Sequence, residues 1–126
     1  MASPTNLLYS KEHEWLKLDG DIATVGITEY AQSSLGDIVY VELPKLGTNV
    51  EQFGAAGVIE SVKAVSDIFT PIGGEITEVN SSLDGDLALV NREPFAGGWL
   101  FKIKVSDAGQ KSNLLSSTAY DDLTKE

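Results

Sequence analysis

Two short runs of strand-forming residues, separated by a polar break, dominate the middle of this chain and restrict how it can fold. Valine and isoleucine residues precede the break, the run from Val65 to Phe69 follows it, and Pro71 ends the second run. β-Branched and aromatic residues favour strands, and proline interrupts their hydrogen-bonding ladders. The pattern predicts a β-hairpin over about residues 57–71, with Lys63 at or beside its tip.

The rest of the chain repeats this alternation of short apolar runs and turn residues. Asp-Gly at residues 19–20, between two strand-like runs, is a strong hairpin signal. Thr28 is a suitable helix N-cap and Gly36 a suitable stop, which together predict a short helix near residues 28–35. A C-terminal helix is predicted at about 113–120. The predicted strands lie at residues 7–9, 13–18, 22–27, 37–43, 53–62, 65–70, 75–79, 87–90 and 99–105.

Eight or nine short strands with two short helices are typical of a small barrel or sandwich. Both faces of the run at 37–43 are largely apolar, which predicts a strand that lies between layers. Leu114, Leu115 and Tyr120 are expected to face inward from the C-terminal helix, and residues 121–126 are expected to fray. A length of 126 residues is that of one domain.

The charge balance argues against two classes of partner. Nineteen acidic residues against nine basic ones give a formal net charge of -10, which would repel both a phosphate backbone and an anionic lipid surface. No apolar run approaches the roughly eighteen residues needed to cross a bilayer. We therefore expect neither nucleic acid nor a membrane as partner. The acidic surface can favour encounter with basic protein surfaces, or it can simply maintain solubility.

The chain lacks the residues that most catalytic and metal sites require. It has one histidine and no cysteine, and it has no nucleophile motif or phosphate-binding glycine loop. One histidine without neighbouring ligands does not make a zinc site. We therefore expect no catalytic site and no metal site, and we expect His13 to be a structural residue near the surface.

Lys63 is the candidate for chemistry. It is the only cation between Lys45 and Arg92. An ammonium group on a long flexible stem at the tip of a tight turn is accessible to an enzyme that acylates it. The position therefore suits the attachment of a swinging cofactor. The alternative is a solvated lysine that only discourages pairing with other strands.

The segment around this lysine, residues 60–67 followed by Thr-Pro-Ile-Gly-Gly-Glu-Ile at 70–76, resembles the lipoyl-lysine hairpin of the glycine cleavage system H-protein family. Val62 and Ala64 flank the lysine, whereas biotin carriers usually have methionine on both sides. The resemblance spans about residues 9–120 and implies a single lipoyl-carrier domain over 1–126, with the barrel-sandwich hybrid fold of lipoyl and biotinyl carriers. Further matching segments, in the order of the family, are 13–15, 23–28, 30–32, 35–39, 41–44, 89–91, 98–100 and 102–104.

By this resemblance, Lys63 carries lipoate as N6-lipoyllysine. The arm then accepts the aminomethyl group from a pyridoxal-phosphate glycine decarboxylase and presents it to a tetrahydrofolate-dependent aminomethyltransferase. Dihydrolipoyl dehydrogenase reoxidises the arm, and lipoyl-attaching enzymes are further partners. The chain would be a carrier and co-substrate rather than an enzyme. The alternative is a lipoyl relay protein, which passes lipoyl groups to other complexes.

The resemblance also implies roles for four other residues. Glu14 and Asp67 line the cleft that receives the loaded arm, and Glu60 and Gly74 matter to the lipoyl-attaching enzyme. A carboxylate can hold the protonated amine of an aminomethyl arm through a charge-assisted hydrogen bond. Without the resemblance, Glu14 and Asp67 would be interpreted as ordinary surface acids. Gly74 then reads as a residue that only permits a positive φ in a turn.

The chain departs from some family members near the expected cleft. Tyr30 and Ser34 stand in the short helix, where a histidine can face the arm, and Glu12 replaces a small polar residue. These differences concern arm docking and not attachment. The N-terminal residues have neither the basic stretch nor the long apolar core of a targeting segment. They indicate a bacterial cytoplasmic protein, with a mature mitochondrial matrix form as the alternative.

Overall fold

The computed structural model describes residues 4–124, and this part of the chain is mainly β-structure. The strands are β1 Leu8–Tyr9, β2 Glu14–Asp19, β3 Ile22–Ile27, β4 Ile38–Glu42, β5 Asn49–Val50, β6 Ala55–Ser61, β7 Val65–Phe69, β8 Gly74–Val79 and β9 Phe101–Val105. The α-helices are α1 Glu29–Leu35, α2 Leu89–Arg92 and α3 Ser117–Thr124, and the 3-10 helices are Ser81–Asp84 and Ala108–Asn113.

The strands form two antiparallel sheets that enclose one main core. The larger sheet has the order β1-β2-β3-β9-β8-β5, and the smaller has the order β4-β6-β7. Alternate residues of each strand point to one face, so Val25 and Phe101 of the larger sheet pack in the same buried cluster as Ile59 and Ile68 of the smaller one. The predicted mainly β class is therefore confirmed. Strands β4 and β7 form the two edges of the smaller sheet.

The two predicted hairpins are present. Strands β2 and β3 pair from Glu14↔Ile27 to Asp19↔Ile22, and Gly20 has the left-handed φ of 66° that a two-residue turn needs. Strands β6 and β7 form the hairpin that carries Lys63. The other strands that match predictions lie within two residues of the predicted bounds, and only the two-residue β5 was not predicted.

The short helix near residues 28–35 is also confirmed. Thr28 is the N-cap of α1, and its Oγ1 accepts a 3.1 Å hydrogen bond from the backbone N–H of Ala31. Gly36 ends the helix with a φ of 81° and donates its N–H to the carbonyl of Gln32. The helix ends where the sequence predicts, because both of its ends are specified by local side-chain and backbone chemistry.

The strand predicted at 87–90 is wrong, because the chain forms helix α2 there. Leucine and alanine favour helices, and a four-residue apolar run does not by itself distinguish a helix from a strand. Val90 is buried against the core. Arg92, the last residue of α2, forms a 2.7 Å ion pair with Asp86, which precedes the helix.

The prediction that the strand at 37–43 lies between layers is also wrong. Val39 and Tyr40 of β4 are 50% and 49% exposed. Strand β4 is an edge strand, and its register against β6 shifts between Ile38 and Tyr40. This bulge breaks the regular alternation. As a result, Ile38 is buried while the next two side chains face solvent.

The C-terminal helix lies later than the predicted 113–120. Leu115 is extended and forms a bridge with Tyr9, with N···O distances of 2.9 and 2.7 Å. The helix can therefore begin only after this bridge, and Leu114 and Leu115 lie before it. Tyr120 faces inward as predicted. Helix α3 continues to Thr124, so the predicted fraying is wrong for 121–124, and residues 125–126 lie outside the described part.

Candidate functional site

Lys63 lies in the turn between β6 and β7, and its side chain is exposed. The turn is closed by the backbone N–H of Ser61, which donates to the carbonyl of Ala64 at 2.8 Å. The buried Ser61 hydroxyl oxygen also accepts from the N–H groups of Lys63 and Ala64, at 3.3 and 3.1 Å. The backbone of the tip is thus fixed while the lysine side chain faces solvent.

The hairpin tip is also attached to the segment that joins α1 to β4. The backbone N–H of Val62 donates to the carbonyl of Asp37 at 3.1 Å. A Cβ placed at Gly36 would lie 3.7 Å from Cε of Lys63, so the lysine stem passes close to this glycine. The position of Lys63 therefore depends on how this α1–β4 segment is held.

Asn91 holds the α1–β4 segment, and sequence reasoning assigned it no such role. Its Oδ1 accepts from the N–H of Ile38 at 3.0 Å. Its Nδ2 donates to the carbonyl of Gly36 at 2.9 Å and to Oε1 of Gln32 at 3.0 Å. Because a strand was predicted at 87–90, helix α2 and the position of Asn91 within it were not expected. The only signal in the sequence was that residues 89–91 match the resembled family.

Glu14 is a buried carboxyl group, so its interpretation as an ordinary surface acid is wrong. It is 3% exposed. Its Oε1 accepts from the Ser10 hydroxyl at 2.7 Å, and its Oε2 accepts from the backbone N–H of Phe69 at 3.4 Å. Burial raises the pKa of Glu14 to about 8, nearby Glu12 adds to the increase, and these hydrogen bonds oppose it.

Strand β7 runs from the turn that carries Lys63 to the backbone N–H whose hydrogen bond Glu14 accepts. It begins two residues after Lys63 and ends at Phe69, the residue that donates to Glu14. From Val65 to Phe69 the strand rises about 13 Å at the usual spacing of extended chains. Glu14 therefore accepts a hydrogen bond from one end of this edge strand, and Lys63 lies just beyond the other.

Asp67 lies between these two ends, and its side chain is exposed. It is two residues from Phe69, so both side chains project from the same face of β7. The structure thus places Asp67 on the strand between the lysine and the buried carboxyl. Within residues 4–124, no hydrogen bond joins Asp67 to Glu14.

A cleft lies next to the Glu14 end of β7. It encloses about 400 Å³ and is lined by Phe53, Phe69, Lys11, Glu12 and Asn113. The lining thus combines two aromatic side chains with charged and polar ones. Phe53 has a left-handed φ of 64°, and its backbone N–H donates to the carbonyl of Thr70 at 2.7 Å.

Glu60 and Gly74 lie in different sheets. Glu60 is on β6, directly opposite Val65 and therefore close to the hairpin tip. Gly74 is a buried residue at the start of β8, with a φ of 153°. A Cβ there would overlap the carbonyl oxygen of Lys104 on β9. Strand packing therefore explains this glycine.

His13 is partly buried and forms a hydrogen bond with the C-terminal helix. Its Nδ1 lies 2.8 Å from the hydroxyl oxygen of Tyr120. Within residues 4–124, no group of three or more histidine, aspartate or glutamate side chains is arranged to hold a metal ion. None of the helices described is both long and apolar enough to cross a membrane.

Comparisons with known proteins agree over nearly the whole chain. The family model described as glycine cleavage H-protein matches residues 7–126. A glycine cleavage system H protein of Halothermothrix orenii is 52% identical over 120 residues, covering 95% of this chain and 94% of the relative. One from Escherichia coli O7:K1 is 53% identical over 124 residues, covering 98% of this chain and 96% of the relative.

A solved structure shows the same fold. The crystal structure of a glycine cleavage system H protein from Mycobacterium marinum superposes with a TM-score of 0.90 at 34% sequence identity. The match covers 98% of this chain and 100% of the other. The two-sheet arrangement described above is therefore that of a solved glycine cleavage system H protein.

Proposed function

Because this chain belongs to the glycine cleavage H-protein family, we propose that it carries a lipoyl group on Lys63 as the mobile arm of glycine cleavage. The observation that supports this most strongly is the geometry of strand β7. An exposed lysine on a fixed turn precedes the strand, and a buried carboxyl group accepts a hydrogen bond from the strand's far end. This arrangement suits an arm that must be accessible to other proteins and also be able to dock.

The residues around Lys63 fit the attachment of lipoate. An amide bond between the lysine amine and the lipoate carboxyl group requires an accessible amine on a backbone that an enzyme can grip. Ser61 holds that backbone, and the lysine side chain is exposed. When attached, the lipoyl group supplies a disulfide that can accept an aminomethyl group and be reoxidised afterwards.

Glu14 would bind the charged end of the loaded arm. In the chain alone its carboxyl group is buried, and its pKa is about 8, so the neutral form predominates at pH 7. A protonated amine brought beside it would favour the carboxylate and form a charge-assisted hydrogen bond. A neutral arm would offer no such gain. We propose that Asp67 adds a second, solvent-facing carboxylate along the same path.

The cleft lined by Phe53 and Phe69 would shelter the end of the arm. Aromatic walls exclude water, and sulfur atoms make favourable contacts with aromatic ring edges. The aminomethyl group is lost by hydrolysis when water reaches it, so the exclusion of water prolongs the loaded state. The residues of this chain thus bind, orient and protect, and they perform no bond-making step of their own.

The lipoyl-attaching enzyme would contact the face of the hairpin beside Lys63. We propose Glu60 as a direct contact, because it is near the tip and next to Val65 in the sheet. Gly74 would act through the fold, because it allows β8 to approach β9 closely. Gly74 would thus contribute through strand packing, and Glu60 through direct contact with the enzyme.

The proposed partners are those of glycine cleavage: a pyridoxal-phosphate glycine decarboxylase, a tetrahydrofolate-dependent aminomethyltransferase and dihydrolipoyl dehydrogenase. Docking must be reversible, because the arm visits each of them in turn. We propose a cytoplasmic location, as its relatives are bacterial, with a mitochondrial matrix form as the alternative. A lipoyl relay to other complexes remains the alternative function.

Reconstitution with the three partner enzymes tests the proposal. Wild-type protein, lipoylated beforehand, should support glycine-dependent release of CO₂. Lys63→Arg, which keeps the positive charge, should fold normally and support none. Lys102→Arg is the matched control, and it should behave as wild type. Glycine turnover supported by Lys63→Arg would refute the assignment, whereas lipoylated protein that is inactive with these partners but donates lipoyl groups to other complexes would favour the relay function.

A further inference from the structure

The backbone of His13 adopts a conformation that its neighbours must hold in place. Its φ is 73°, in the left-handed region that residues other than glycine rarely adopt. Its N–H donates to the carbonyl of Ser10 at 3.2 Å, and its carbonyl accepts from the N–H of Thr28 at 3.1 Å. Its ring lies 4.7 Å from that of Tyr30. Such outliers persist where surrounding contacts over-determine them, and they are concentrated at functional sites.

Tyr120 of the C-terminal helix α3 provides one of these contacts. Its buried hydroxyl oxygen lies 2.8 Å from Nδ1 of His13 and 2.7 Å from Oγ1 of Thr28, and its ring stacks on that of Tyr9 with centroids 4.8 Å apart. Burial lowers the pKa of His13, although nearby Glu12 opposes the decrease. The imidazole is therefore neutral at pH 7, and its Nδ1 can accept the proton of the Tyr120 hydroxyl.

This hydroxyl group connects three parts of the molecule that surround the proposed cleft. Thr28 caps helix α1, which leads to the segment that holds the hairpin tip. His13 directly precedes Glu14 at the start of β2. Tyr120 itself belongs to α3. The C-terminal helix is therefore bonded to both the cap of α1 and the residue that leads into the buried carboxyl.

The turn at residues 10–14 transmits the conformation of His13 to Glu14. Ser10 donates its N–H to the carbonyl of Glu14 at 2.9 Å, and its hydroxyl oxygen accepts from the N–H of Glu14 at 3.1 Å. The same hydroxyl donates to Oε1 of Glu14 at 2.7 Å. These bonds form only if the chain reverses between Ser10 and Glu14, and the left-handed conformation of His13 produces that reversal.

We propose that Tyr120 and His13 are positioning residues for the proposed arm cleft, because the Tyr120 hydroxyl holds His13 in the conformation that directs the Glu14 carboxyl group toward Phe69. The inference rests on the proposed function, in which Glu14 binds the loaded arm. It adds a role for the C-terminal helix. Attachment at Lys63 does not require the Tyr120 hydroxyl, whereas protection of the loaded arm does.

Two variants and one control test this proposal. Tyr120→Phe removes only the hydroxyl and keeps the ring stacked on Tyr9. His13→Asn keeps a residue that tolerates the left-handed region and loses the imidazole Nδ1. Ile103→Val truncates a buried residue of β9 that does not bond to Tyr120 or His13, and it controls for a small loss of stability. The carboxyl titration of Glu14 is followed by carbon NMR in each unmodified protein, and the decay of the aminomethyl-loaded arm is timed in each lipoylated one.

In Tyr120→Phe and in His13→Asn we expect the titration midpoint of Glu14 to fall toward its ordinary value, because water reaches a carboxyl group that is no longer held in place. The loaded arm should decay about fivefold faster, the factor that corresponds to one ordinary hydrogen bond. Lipoylation of Lys63 should proceed as in wild type. The proposal is overturned if the Glu14 titration and the arm lifetime of Tyr120→Phe and His13→Asn match those of Ile103→Val.

The two readouts also separate this inference from the proposed function. The titration is measured on protein without an arm, so it decides the positioning role even if wild-type protein accepts no lipoyl group. If the Glu14 midpoint shifts in the variants and the wild-type chain is never lipoylated, then the positioning of Glu14 holds and the carrier assignment fails. If the midpoint does not shift, the positioning role fails regardless of lipoylation.

Discussion

The Oε2 atom of Glu14 lies 3.4 Å from the backbone nitrogen of Phe69 and accepts its hydrogen bond. This contact joins a buried carboxyl group of the larger sheet to an edge strand of the smaller one. Because Lys63 lies just beyond the other end of that strand, the contact defines the path that a lipoyl arm would follow across the surface.

Replacing Glu14 by glutamine should stabilise the protein at alkaline pH. The folded-state pKa is about 8 against an ordinary value of 4.5, so the folded protein binds the proton more tightly than the unfolded chain. The stability contributed by protonated Glu14 is complete below pH 4.5 and is lost as pH rises through 8. Glu14→Gln should therefore gain about 5 kcal/mol over wild type at pH 9 and little at pH 4.

Urea unfolding at pH 4, 6 and 9 measures this difference. Glu42→Gln, at an exposed position on β4, is the control and should show no such trend. A stability difference between Glu14→Gln and wild type that stays constant with pH would show that Glu14 titrates normally.

The same substitution should shorten the lifetime of the loaded arm. Glutamine can accept a hydrogen bond from the aminomethyl amine but cannot balance its charge. Charged hydrogen bonds contribute about 1.5–3 kcal/mol, so we expect roughly tenfold or faster decay of the aminomethyl form. Decay is followed as release of formaldehyde from loaded protein. An unchanged decay rate in Glu14→Gln and in Glu14→Ala would remove Glu14 from the cleft.

Asn91→Ala should loosen the Lys63 hairpin although the two residues are not in contact. The substitution removes three hydrogen bonds that hold Gln32, Gly36 and Ile38. We expect a loss of about 2 kcal/mol in the free energy of unfolding. Hydrogen exchange at the Val62 amide, which donates to Asp37, should accelerate by more than the stability loss alone explains.

Gln32→Ala is the matched control for Asn91, because it removes only one of those three bonds. It should leave the Val62 amide nearly as protected as in wild type. Equal exchange rates in Asn91→Ala and Gln32→Ala would mean that Asn91 does not hold the hairpin.

Gly74→Ala should destabilise the fold by about 3 kcal/mol, because the new methyl group meets the carbonyl of Lys104 and the φ of 153° disfavours alanine. If Gly74 acts through packing, lipoylation should decrease only in proportion to the folded fraction. Gly109→Ala, at an exposed glycine of a 3-10 helix, controls for the added methyl group. Fully folded Gly74→Ala that resists lipoylation would instead indicate direct recognition.

Features that depend on nearby residues were predicted from the sequence. The hairpin at 57–71, the turn after Asp19 and helix α1 depend on turn residues and caps that lie within a few positions of the structure they specify. The position of Lys63 in an exposed turn follows from the same local pattern. The resemblance to a family then named the residues around it.

Features that depend on distant contacts were not predicted. The buried Glu14 carboxyl group accepts a hydrogen bond from Phe69, which lies 55 positions away. The late start of helix α3 depends on the bridge between Leu115 and Tyr9. The exposure of Tyr40 follows from the bulge in the pairing of β4 with β6. Strand order and edge positions arise only from tertiary pairing, and local sequence patterns do not predict them.

The most direct test of the account is the intact mass of the protein after co-expression with a lipoyl-attaching enzyme and lipoate, with peptide mapping across residues 57–71. We predict the mass increase of one lipoyl group, located on Lys63, and no increase in Lys63→Arg. An unmodified Lys63, when the same enzyme modifies a known carrier protein in parallel, would contradict the account, and the hairpin would then present only a solvated lysine.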